Sequence, residues 1–246
     1  MKNNSLSILF LGSSANSAIV LKQLKQHYQH VFTKITKNTP DLIITADYGQ
    51  IIPQKILNSS KLKPLNLHPS LLPKYRGATP VPRAILANEA KTGITIFQMT
   101  DKIDSGPIIT QKTIKISPKD NSATLLKKCF TIGAKLLIKI LPDYIEHKIT
   151  PKHQPLKSPT PYAKKFVKQD GFISWSKFKQ YLTTNPQLLQ TKINALYPWP
   201  GVHTTLPNNK TLKILSFDQQ PLQVQLQGKN PISWKQFLAG YKHLLQ

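Results

Sequence analysis

Apolar positions in this chain fall into short runs joined by turns, and the runs alternate with stretches of helical period. Ser7–Leu11 is such a run and ends at Gly12; Ile19, Val20 and Leu24 then recur at helical spacing within Ala18–Leu24. A strand, a glycine turn and a helix open an α/β unit. His30–Thr36 has the mixed pattern of an edge strand. Asp41–Ala46 (D-L-I-I-T-A) is nearly all apolar, as expected of a strand covered on both faces of a parallel sheet. Ile51–Leu57 predicts a helix with Pro53 near its start. Pro64–His68, Gly93–Thr100 and Pro107–Ile116 predict further strands. Between the first two lie a proline-bounded loop at 69–82 and a helix over Arg83–Asn88. Ser122–Tyr144 predicts a long helix whose apolar stripe is Leu125, Leu126, Cys129, Ile132, Leu136, Leu137 and Ile140.

The pattern then changes. Residues 148–161 (K-I-T-P-K-H-Q-P-L-K-S-P-T-P) hold four prolines and little apolar content, which predicts a linker. Beyond it come short strands at Gly171–Trp175, Gly201–Leu206, Thr211–Phe217 and Leu222–Gln227, with one helix over Lys177–Ala195 and a last one over Trp234–Leu245. Short strands, one intervening helix and basic residues suggest a small β-barrel of the oligonucleotide-binding (OB) type. Trp175, Trp199 and Trp234 are expected to anchor cores.

Composition narrows the functions. The 246 residues include 34 Lys+Arg against 10 Asp+Glu, a formal charge of +24, and 39% are hydrophobic. That is enough apolar content for a packed core and excludes a disordered tail. A positive field of this size attracts polyanions. Residues 151–246 carry 13 basic and 2 acidic side chains, a net charge of +11, so basic density is greater toward the C-terminal end. A single cysteine, Cys129, excludes an internal disulfide and a cysteine-based zinc site. No apolar run approaches the roughly 20 residues that span a bilayer, and the apolar start reads as a buried strand. The expectation is a cytoplasmic protein that acts as a monomer, without metal or membrane.

The densest chemistry is Asn66-Leu67-His68-Pro69-Ser70-Leu71-Leu72-Pro73-Lys74-Tyr75-Arg76-Gly77. Asn66 and His68, two apart at a strand end, point to one face. That face lies at the carboxyl edge of a parallel sheet, where open α/β folds place ligands. Asp104 follows a later strand and can return to the same edge. An amide donor, an imidazole and a carboxylate suit acyl transfer without a covalent enzyme intermediate. On spacing alone, a histidine beside prolines is equally a loop residue, and Asp104-Ser105-Gly106 equally a turn.

The string from Asn66 to Pro80, then Thr92-Gly93-Ile94-Thr95 and Ile103-Asp104-Ser105-Gly106, resembles the folate-dependent formyltransferases. The later strings Pro161–Lys165, Gly171–Trp175 and Ala195–Gly201 resemble the C-terminal domain of their methionyl-tRNA branch. The resemblance implies a Rossmann-like, mostly parallel formyltransferase domain over 1–147, the linker 148–161, and a tRNA-binding OB-like β-barrel over 162–246. It implies transfer of a formyl group from 10-formyltetrahydrofolate to the amino group of initiator methionyl-tRNA, with Asn66, His68 and Asp104 catalytic. Tyr48, Gly49, Gln50 and Ile51, with Met99 and Ile103, match the formylfolate pocket. Ser70, Leu71, Leu72, Pro73, Arg76 and Gly77 match the substrate loop, with Arg76 reaching tRNA or anchoring that loop. The chain departs from the family between Gly12 and Asp41, where a strand–helix unit and a basic insertion loop are missing. A formyltransferase for a small amine, such as glycinamide ribonucleotide or an amino sugar, and a catalytically weak RNA-binding relative remain alternatives.

Overall fold

The computed structural model describes residues 3–35, 39–216 and 222–245. The expected strand ends at Thr36 and Phe217 lie outside them. The elements are β1 (Asn3–Leu11), α1 (Ala15–His27), β2 (Tyr28–Phe32), β3 (Leu42–Ala46), α2 (Gln54–Leu57), β4 (Leu65–His68), α3 (Pro80–Leu86), β5 (Lys91–Gln98), β6 (Ile108–Lys115) and α4 (Ser122–Ile145). After them come α5 (Trp175–Thr184), α6 (Pro186–Leu196), β7 (Val202–Thr205), β8 (Thr211–Ser216), β9 (Gln223–Leu226), β10 (Ile232–Ser233) and α7 (Trp234–Tyr241). They form two compact units. The first comprises the described residues up to Val81, Ala90–Ser117 and Thr124–Lys164; the second comprises Pro82–Glu89, Pro118–Ala123 and the described residues from Lys165 onward. Among the described residues no helix is long and apolar enough to cross a membrane.

The first unit is built on a six-stranded sheet in the order β2-β1-β3-β4-β5-β6. Strands β2, β1, β3 and β4 pair in parallel; β5 is antiparallel to β4, and β6 to β5. All five residues of β3 are buried, as its apolar run requires. Ser14 caps α1 by accepting from Ser17 N, and the Ser17 hydroxyl accepts from Ser14 N in return. Helix α4 buries Leu125, Cys129, Phe130, Ala134, Leu137 and Leu141. Leu126, Ile132, Leu136 and Ile140 of the expected stripe are only half buried. The buried face is rotated toward Gly133, where a Cβ would stand 2.7 Å from Ile94 Cγ1.

Asp41, just ahead of β3, ties that strand to β1. Its Oδ2 accepts from Ser7 N at 2.8 Å and Ser7 Oγ at 2.7 Å, and Lys61 Nζ lies 2.7 Å from Oδ1. The Lys61 hydrogen bond, then that of the Ser7 backbone, lower the Asp41 pKa to about 2. A lowered folded-state pKa stabilises above the unfolded value and is lost as pH falls through the folded one. The Tm advantage of the wild type over Asp41→Asn is therefore expected to shrink between about pH 4 and pH 2 in an acid melting series.

The second unit carries an antiparallel sheet in the order β10-β9-β8-β7. Its core includes Phe178, Leu189, Leu212, Val224 and Phe237, against which Trp175 and Trp234 pack. Trp234 stacks on Phe237 with ring centroids 5.2 Å apart. Trp199 departs from expectation: it is 61% exposed and anchors no core. The single helix expected over Lys177–Ala195 is two helices, because Pro186 offers no N–H and drives Asn185 out of the helical region, to φ −146°. At Gly171–Trp175 the expected strand shrinks to one bridge between Phe172 and His203. A 3-10 turn over Lys168–Gly171 precedes it, and Ser174 then caps α5 by accepting from Lys177 N.

The proline-rich stretch 148–161 lies within the first unit and runs along the loop after β4 as a docked strap. Lys152 and Ile108 exchange backbone hydrogen bonds of 2.8 and 2.7 Å. Ser158 Oγ donates to Pro73 O at 2.7 Å, Tyr75 N to Thr160 Oγ1 at 2.6 Å, and Ala163 N to Arg76 O at 2.7 Å.

Candidate active site

Strand β4 places Asn66 and His68 on one face, and the parallel partner β3 sets Thr45 opposite Asn66. The Thr45 hydroxyl has one proton to give, and its shortest acceptor is Asn66 Oδ1 at 2.7 Å; Met99 Sδ stands 3.4 Å away. With its oxygen occupied, Asn66 turns its Nδ2 donor away from Thr45.

His68 is 4% exposed. Its Nε2 lies 3.0 Å from the Tyr75 carbonyl oxygen, which can only accept, so that nitrogen carries a proton. Nδ1 lies 3.6 Å from Asp104 Oδ2, an ion pair when the ring is protonated. The same carboxylate oxygen accepts from Gly77 N at 2.8 Å. Asp104 thus reaches His68, and Asn66 lies two residues before His68 on the same face of β4.

Asp104 arrives by a route the strand pattern does not suggest. Because β5 is antiparallel, Gln98 at its end pairs with Leu65 at the start of β4, and Thr95 pairs with His68. The 99–107 turn thus leaves from the wrong end of β4 and folds back to bring Asp104 to His68. Two features permit the reversal. Asp104 adopts φ 50°, a left-handed conformation that aspartate tolerates better than most residues. Gly106 then sits so close to β5 that any Cβ there would overlap the Gln98 carbonyl oxygen.

The loop after β4 is held by its own polar groups. Ser70 is fully buried and donates through Oγ to Lys74 O at 2.7 Å, and its carbonyl accepts from Thr95 Oγ1 at 2.6 Å. Leu72 is buried and donates its N–H to Thr95 Oγ1, while Leu71 fills the space that a side chain at Gly93 would take. Arg76 is 7% exposed and faces the strap: it donates to Gln154 Oε1, to Pro155 O at 2.8 Å and to Leu156 O at 3.0 Å. These bonds tie the loop after β4 to the strap. Pro73 is half buried, with its carbonyl on Ser158, and Gly77, at φ 116°, approaches Ala163 too closely for a side chain.

The segments expected to border a ligand are open. Tyr48 is half buried, Gly49 and Gln50 are exposed, and Ile51 and Ile103 are 92% and 60% exposed. Met99, of the same expected set, lies against Thr45. Thr45, Gln154 and Tyr162 are participants that the motif reading missed. Thr45 had a signal, as the polar residue in an otherwise apolar strand; Gln154 had none. The Tyr162 phenol is 46% exposed, and its pKa is raised first by burial and then by the Asp104 carboxylate.

A family described as "Formyl transferase" matches residues 5–141. A methionyl-tRNA formyltransferase of Natranaerobius thermophilus is 31% identical over 246 residues, covering 87% of this chain and 76% of the relative. One of Staphylococcus epidermidis is 40% identical over 178 residues, but this chain spans only 54% of its length. Among solved structures, methionyl-tRNA formyltransferase from Clostridium thermocellum superposes with a TM-score of 0.67 at 16% identity, covering 93% of this chain and 99% of that one. HypX from Aquifex aeolicus in complex with tetrahydrofolic acid superposes with a TM-score of 0.70 at 16% identity, covering 95% of this chain and 47% of that one.

Proposed function

The chain belongs to the formyl transferase family, and from that premise we propose that it moves a formyl group from 10-formyltetrahydrofolate to the amino group of initiator methionyl-tRNA. The pairing of His68 with Asp104, on the face of β4 that also carries Asn66, supports the reading. Asn66 Nδ2 donates to the formyl oxygen as negative charge develops there, and a protonated His68 sets a positive charge beside it. Asp104 holds His68 and takes the proton of the attacking amine, directly or through a water; the tetrahedral intermediate then breaks its bond to folate N10, which leaves with that proton. Thr45 fixes which end of the Asn66 amide faces the substrate. Thr45→Val, which keeps the shape and removes that hydrogen bond, is expected to lower kcat about tenfold, the equivalent of about 1.4 kcal/mol. Unchanged turnover in a steady-state assay would count against this role.

The exposed apolar side chains of Ile51 and Ile103, with Tyr48, Gly49, Gln50 and Met99, suit a flat heteroaromatic ring that needs apolar cover and main-chain partners. These residues would hold the folate, which supplies the formyl group. We read the second unit as the tRNA-binding part and as an OB-type barrel. Support comes from the extended segment at Phe172 bridged to β7 and from the net charge of +8 over residues 165–246, which hold 10 basic and 2 acidic side chains. Binding through lysine–phosphate contacts makes log K fall linearly with log salt. The test offers labelled formyl donor with charged initiator methionyl-tRNA, glycinamide ribonucleotide or an amino sugar, at about 50 and 200 mM salt. Label is expected on the tRNA, with affinity falling steeply at the higher salt. Label on a small amine and none on tRNA would overturn the proposal.

A further inference from the structure

We infer that Gln154 is a positioning residue for the Asp104 carboxylate, clasping the two loops that meet at His68; the inference rests on the transfer chemistry proposed above. No strand ladder holds Asp104 in place, since β5 runs away from the end of β4 where His68 lies. Gln154 Nε2 donates to Asp104 O at 3.1 Å and to Gly106 O at 2.7 Å, so it grips the reversal on both sides of Ser105. Its Oε1 accepts from Arg76 Nε at 3.3 Å and Arg76 Nη2 at 2.9 Å. Arg76 directly precedes Gly77, whose N–H holds the Asp104 carboxylate at 2.8 Å.

The contacts form a closed circuit. It runs from the Gly77 N–H to the Asp104 carboxylate, through the Asp104 backbone to the Gln154 amide, and through Arg76 back to Gly77. Only a side-chain amide of this length can donate two protons at one end and accept two at the other. The left-handed backbone of Asp104 would relax toward a commoner conformation without such support, carrying the carboxylate away from His68 Nδ1. Groups that orient a reacting residue are felt in turnover more than in binding, because small misplacement weakens the transition state.

Two variants separate this role from mere docking of the strap. Gln154→Met keeps the length and loses every hydrogen bond. Gln154→Glu keeps an acceptor for Arg76 and sets a carboxylate against two carbonyl oxygens. With initiator methionyl-tRNA and 10-formyltetrahydrofolate, both are expected to lose about 10- to 100-fold in kcat, with the KM for the formyl donor within about threefold. The His68 ring signal, assigned by its loss in His68→Ala, gives a second readout by carbon NMR, because the Asp104 carboxylate lies 3.6 Å from Nδ1. Its chemical shift in Gln154→Met is expected to move toward that in Asp104→Asn. A lowered Tm with unchanged kcat and an unmoved ring signal would overturn the inference. A wild type without transfer would instead overturn the proposed function, and the ring signal would still decide the role of Gln154.

Discussion

His68→Ala is expected to lower kcat by about 10³-fold while the protein stays folded, the range associated with removing a charged donor or a general acid–base group. The imidazole spans the Tyr75 carbonyl and the Asp104 carboxylate, so its loss removes the charge beside the reacting oxygen and one anchor of Asp104. The fold should tolerate the change. The ring is buried, but it lies at the end of β4 with loop on one side, and a small cavity plus one carbonyl left unpaired costs about 1 to 3 kcal/mol. Circular dichroism melting and single-turnover transfer, measured on the same preparation, check both halves. A variant with full turnover would remove His68 from the mechanism, and an unfolded one would shift the test to His68→Gln.

Gly106→Ala should be the most damaging change outside the reacting groups. A methyl group there overlaps the backbone oxygen of Gln98, which is held in the β5–β6 hairpin and cannot swing aside as a side chain would. The turn must move instead. Overpacking of this kind costs about 1 to 3 kcal/mol, and a shift of about 1 Å in Asp104 costs on the order of 10²-fold in turnover. A fall in kcat with binding of the formyl donor retained is the expected signature. Wild-type kcat in Gly106→Ala would mean that the turn absorbs the methyl group without moving the carboxylate.

The sequence made the sheet legible wherever burial acts on both faces. Asp41–Ala46 is apolar because helices or loops cover it on either side, and Asn66 and His68 share a face because strand side chains alternate. Strand direction left no such mark. Nothing in Gly93–Thr100 distinguishes a parallel strand from an antiparallel one, so the return of Asp104 to His68 was expected for a reason that the pairing of β5 with β4 does not support. The break at Asn185-Pro186 is readable from the proline, which has no N–H to continue a helix and disfavours helical backbone at the residue before it. The strap carries the least signal: its prolines and polar residues look like a free linker, and what fixes it is hydrogen bonds to a loop far away in sequence. Trp199 shows the converse, since an aromatic residue between prolines reads as an anchor and is exposed.

The docked strap also sets when the site can exist during synthesis. Tyr75 and Thr160 are 85 residues apart in sequence, and Arg76 and Leu156 are 80 apart. Contacts of such separation close late, because the chain entropy of a long loop must be spent before they form. A ribosome that has delivered β1 through α4 has delivered Asn66, His68 and Asp104, with nothing yet to clasp the turn that carries the carboxylate. The three groups come into register only as the residues around 152–163 emerge, so completion of the site follows synthesis of the chain well past its last reacting residue.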